Sequence, residues 1–143
     1  MIKNIFDKDK QICTIIKNNY SNQGINFLTE NNSTQQIAFA THQKGTVINA
    51  HIHIPVQRII EGTPETIFLR EGKIRLDIYT QSKKYLESII LESGDIAILQ
   101  YGGHGIKCLE NSKFIEVKQG PYLGEKDKEK FFNIKEEEVI INE

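Results

Sequence analysis

Short β-branched and apolar stretches recur along this chain at close, regular intervals, and that cadence limits what it can fold into. They fall at residues 11–17, 25–29, 36–42, 46–53, 65–70, 73–80, 85–92, 96–99, 106–110 and 113–118. Turn-forming pairs separate them: Lys44-Gly45, Glu71-Gly72, Gln81-Ser82, Gly94-Asp95, Gly102-Gly103 and Asn111-Ser112. Almost no helical period lies between them, so parallel crossover units are excluded and an antiparallel sandwich or barrel is expected. In 65–80 the apolar positions Ile67, Leu69, Ile74, Leu76 and Ile78 alternate with Arg70, Arg75 and Asp77, which predicts a hairpin with one apolar and one wet face.

At 143 residues with 38% hydrophobic content the chain suits one domain with one core. That domain is expected over residues 1–122, followed by a charged tail, 123–143, in which Phe131 and Phe132 are anchoring candidates. Lys and Arg number 18 against 19 Asp and Glu, so no basic field exists to gather a phosphate backbone, and nucleic acid is not an expected partner. No apolar run approaches the length that spans a bilayer, and the amino-terminal residues are charged from the start; no membrane partner and a cytoplasmic location are expected. The two cysteines, Cys13 and Cys108, each stand beside one apolar residue, Ile12 and Leu109, and are expected to be reduced.

The chemistry-bearing residues cluster around His51-Ile-His53. On a strand these two imidazoles point to one face. Glu65 opens the next segment, where pairing could bring its carboxylate to them, and His104 stands in the glycine-rich loop 101–105 as a fourth donor. Three imidazoles and a carboxylate suit Zn, Fe, Mn or Ni, with Gln57 as an alternative oxygen ligand, and they leave a coordination position open. Arg58 is a candidate to clamp a ligand carboxylate or phosphate. Glu116, Lys118 and Tyr101 are the candidate acid–base residues, although Glu116 and Lys118 equally suit an ion pair on a wet face.

These residues resemble the first motif of the cupins: Gly45, His51 and His53 match its opening, and Glu65 to Gly72 its Glu-to-Gly half, with an insertion over 54–64 between them. Gly94, Gly102 and His104 match the second motif, with Gln100 in place of its proline and Cys108 in place of its asparagine. The likeness covers roughly residues 25–122. Within that superfamily the chain resembles small single-domain bacterial cupins associated with surface-polysaccharide sugar biosynthesis. The resemblance implies an all-β double-stranded β-helix, or jelly-roll barrel, and a homodimer, for which the strand around Ile12 to Ile16 is the expected pairing element. It implies a metal-binding protein acting on a small polar substrate, a sugar or nucleotide sugar, by isomerase or epimerase chemistry. A non-haem Fe(II) dioxygenase and a non-catalytic sugar-binding or regulatory cupin are the alternatives.

Overall fold

The computed structural model describes residues 1–142, which form two compact units. The first comprises Met1–Tyr20 and Thr63–Glu143; the second is Ser21–Gly62.

The first unit holds two antiparallel sheets. Strands β1 (Ile2–Asp7), β2 (Lys10–Ile16), β5 (Glu65–Glu71), β8 (Ile96–Leu99) and β10 (Lys113–Lys118) form one in the order β1-β2-β8-β5-β10. Strands β6 (Lys73–Tyr79), β7 (Tyr85–Glu92) and β9 (Gly103–Cys108) form the other in the order β7-β6-β9. Side chains alternate across each sheet, so register decides which residues meet. Cys13 stands opposite Leu99 and Leu99 opposite Glu65, while Ile15 and Ile67 both face Ala97; this row is the inner face of the larger sheet. Ile74 opposite Leu91 and Leu76 opposite Ile89 give the inner face of the smaller one. All of these apolar side chains belong to a single buried cluster, which makes the unit a β-sandwich. Leu76, Ile74, Ile67 and Leu91 have no exposed surface.

The expected strand at the amino end is preceded by one not anticipated, β1, which the polar residues Lys3, Asn4 and Asp7 concealed. Because β1 and β8 occupy both sides of β2, the Ile12–Ile16 strand cannot pair across subunits as expected; β1 and β10 are the edges of this sheet.

The outer face of β6 is not wet. Arg75, Asp77 and Tyr79 are 5%, 3% and 3% exposed, because the carboxy-terminal segment lies across them. Arg75 donates to both carboxylate oxygens of Asp77, at 2.8 and 3.1 Å, and to Glu136 at 2.8 Å. Ser88 donates to Asp77 as well, which completes a bidentate, charge-assisted network of the kind a buried guanidinium requires. Backbone groups tie the segment down further: Ile134 N–H donates to the Tyr79 hydroxyl at 2.9 Å, Ser88 N–H to the Ile140 carbonyl at 2.7 Å and Asn142 N–H to the Ser88 carbonyl at 3.0 Å. Phe131 packs edge-on against Tyr79, ring centres 5.0 Å apart, and is the aromatic anchor; Phe132 is 99% exposed and anchors nothing in this unit.

The second unit contains one antiparallel hairpin, β3 (Gly24–Phe27) with β4 (Ala38–Thr41). Residues 46–53, expected as a strand, are not one. Their composition favours extended backbone, but among the described residues no ladder partner pairs with them, and isolated strands are not stable in water. Ile48 and Ile52 are accordingly 66% and 87% exposed.

Candidate functional site

At one end of the sandwich the inner faces stop being apolar. Glu65, first residue of β5, continues the row of Ile67 and Leu69, and β10 lies antiparallel beside it with Lys118 opposite Glu65 and Glu116 opposite Ile67. Antiparallel partners share a face, so Glu65, Glu116 and Lys118 all project inward, Glu116 diagonal to Glu65. From the other sheet, β9 pairs His104 with the fully buried Ile78, which sends the imidazole toward the same space. His104 Nε2 lies 3.4 Å from Glu65 Oε2.

His104 thus belongs to a strand, not to the loop expected for it. The turn before it explains how. Gly102 has φ +79°, and a Cβ there would run into the Tyr79 carbonyl oxygen, so only glycine fits. Gly103 carries no such dihedral constraint; a Cβ on it would stand 3.0 Å from the Phe131 ring, so its bareness lets the carboxy-terminal segment pack behind the strand that presents His104.

The electrostatics follow from this crowding. The Glu65 side chain is 12% exposed, and its carboxyl is pushed up to about 7, by burial first and then by the hydrogen bond and charge of Glu116. Lys118 and Lys128 oppose that rise. Glu116 is held below the usual carboxylate range, chiefly because it accepts the hydrogen bond from Glu65, with Lys118 adding to the effect at 3.4 Å. Below about pH 7 the pair therefore holds one proton between its two carboxyls, and it gives that proton up as pH rises through about 7. Burial lowers the His104 imidazole below its ordinary value against the pull of Glu116, and Lys128 and Lys118 lower it further. A neutral imidazole, a half-protonated carboxyl and a carboxylate stand together.

Glu116 and Lys118 are accordingly part of the cluster, in addition to forming their ion pair. Tyr101 packs against the core with Lys10 over its ring at 3.2 Å. Three further residues were not foreseen. Lys128 acts on both Glu65 and His104, Asp127 acts on Lys118, and the Tyr122 ring lies 4.7 Å from the Lys118 ammonium. Lys128 and Asp127 belong to a run of alternating charge that reads as solvated, and only the path of the chain after β10 brings them here.

The other expected donors lie in the second unit. His51 and His53 are neighbours, ring centres 5.3 Å apart, with His51 Nδ1 2.9 Å from the Asn49 carbonyl oxygen. Gln57 is exposed, and Arg58 lines a groove in that unit. The expected ligand set is therefore held as two pairs, Glu65 with His104 and His51 with His53. In kind, the Glu65–His104 pair fits a divalent transition metal, one oxygen and one neutral nitrogen. Within the first unit no further group closes the pair into a three-membered metal cluster among the described residues.

Among the described residues no helix is long and apolar enough to cross a membrane. Compared with known protein families, with curated proteins and with solved structures, the chain matches none.

Proposed function

We propose that the inner-face cluster of Glu65, His104, Glu116 and Lys118 binds a small polar, carbohydrate-derived molecule through a divalent transition metal, in a protein of cupin type. The observation that carries this reading is the 3.4 Å approach of His104 to Glu65 from opposite sheets, at a polar end of an otherwise apolar core. Glu65 and His104 would hold the metal. When bound, such an ion polarises a carbonyl or hydroxyl oxygen. Glu116, ionised and at the rim, is placed to take a proton from a ligand carbon or hydroxyl, and the Lys118 ammonium beside it stabilises negative charge that develops there. Proton removal and return at one carbon is isomerase or epimerase chemistry. A homodimer is part of this reading, with β1 or β10 as the strand edges to be covered.

A second reading is favoured by the Glu65–Glu116 hydrogen bond: a metal-independent acid–base dyad in which Glu65 donates and Glu116 accepts. Calorimetric titration of stripped protein with Zn, Mn, Ni and Fe(II) separates the two. The metal reading expects saturable binding that His104→Ala and Glu65→Gln weaken by at least about tenfold, since loss of a direct donor costs no less than loss of an outer-shell partner. Absence of binding at about millimolar metal, with a sugar ligand still captured in a manner that Glu65→Gln weakens, would leave the dyad.

A further inference from the structure

The second unit contains a groove of about 470 Å³, open to solvent along the exposed Arg58 and Ile59, that the cluster above does not use. Two stretches line it: Asn32, Ser33, Thr34 and Gln36 from the β3–β4 connection, and Arg58, Ile59 and Ile60 from the segment after Pro55. The volume falls in the range of small-molecule sites, and a single sugar ring with one substituent fits within it. Its chemistry is uneven. Amides and hydroxyls, which both donate and accept, form one stretch, as a polyol requires. A guanidinium stands in the other beside two apolar side chains, and none of the described lining residues is acidic. Arg58 Nη1 spends one donor on a long bond, 3.4 Å, to the Val56 carbonyl, which leaves the planar fork geometry for an oxyanion.

We infer that this groove is a second ligand site, for a hydroxylated molecule that bears an oxyanion: a carboxylate or a phosphate monoester on a sugar. Arg58 binds the anion, Asn32, Ser33, Thr34 and the Oε1 of Gln36, whose Nε2 already donates to the Glu30 and Asn31 carbonyls, bind the hydroxyls, and Ile59 with Ile60 takes the C–H face of the ring. The site lies wholly within Ser21–Gly62 and goes beyond the reading proposed above, since it needs neither Glu65 nor His104.

The test uses the full chain, stripped of metal, titrated with glucuronate, glucose 6-phosphate, neutral glucose and inorganic phosphate and followed by calorimetry and amide NMR. At least one charged sugar should bind saturably and shift the signals of Asn32, Ser33 and Thr34. Arg58→Gln should weaken that binding by about tenfold or more, in keeping with a charge-assisted hydrogen bond, and Arg58→Lys less. Glu65→Gln should leave it unchanged. Preference for glucuronate or for glucose 6-phosphate identifies the anion as carboxylate or phosphate. Neutral glucose binding equally well would overturn the inference, as would inorganic phosphate alone matching the charged sugars, an Arg58→Gln protein of unchanged affinity, or loss of binding in Glu65→Gln.

Discussion

Replacing Glu65 by glutamine should flatten the pH dependence of stability. The carboxyl ionises at about 7 in the folded protein and at 4.5 ordinarily, so across that interval the folded chain holds a proton that the unfolded chain has released. Its contribution is therefore full below 4.5 and is lost as pH rises through about 7. At 1.36 kcal/mol for each decade, the whole interval amounts to about 3 kcal/mol, of which about 2–3 kcal/mol falls between pH 5 and 8. Glu116 shifts the opposite way, but its contribution is present throughout that window and vanishes only at more acid pH. Glutamine keeps the shape and can still donate to Glu116 without ionising. Urea unfolding of metal-free protein at pH 5, 6, 7 and 8 should show wild type losing about 2–3 kcal/mol more than Glu65→Gln on going from the lowest to the highest pH. Parallel curves for the two proteins, or a wild type that gains on the variant as pH rises, would show Glu65 to be an ordinary exposed or ion-paired carboxylate and would refute the crowded site.

Two further changes probe the carboxy-terminal segment. Asp77→Ala leaves Arg75 buried beside only one carboxylate and should cost about 3–5 kcal/mol in urea unfolding, whereas Arg75→Met with Asp77→Leu should recover most of it. Phe131→Ala should destabilise by about 1–3 kcal/mol and speed hydrogen exchange at Ile134, while Phe132→Ala, changing a fully exposed ring, should stay within about 0.5 kcal/mol of wild type.

How far the sequence carries depends on whether a residue's partner is local. The hairpin around Gly72 is legible because Ile67, Leu69, Ile74, Leu76 and Ile78 repeat with period two on both arms, and the structure buries all five. The same rule misreads Arg75 and Asp77, because what covers them arrives some sixty positions later as Glu136 and Ile134, and no periodicity announces it. Residues 46–53 fail for the converse reason: propensity is present and the ladder is not. In the candidate site, a carboxylate at Glu65 and an imidazole at His104 are legible in the sequence. Their convergence depends on β5 and β9 lying in facing sheets, and the contribution of Lys128 depends on the turn after β10, neither of which a local pattern encodes.

The most direct measurement is a side-chain NMR titration of the four histidines with substoichiometric Mn(II), whose paramagnetism broadens what lies beside it. His104 should broaden early, Glu65→Gln should suppress the effect there, and Zn should reverse it by competition; the same spectra read His51 and His53. A His104 signal that stays sharp while other histidines broaden, or that broadens equally in Glu65→Gln, would contradict the metal reading.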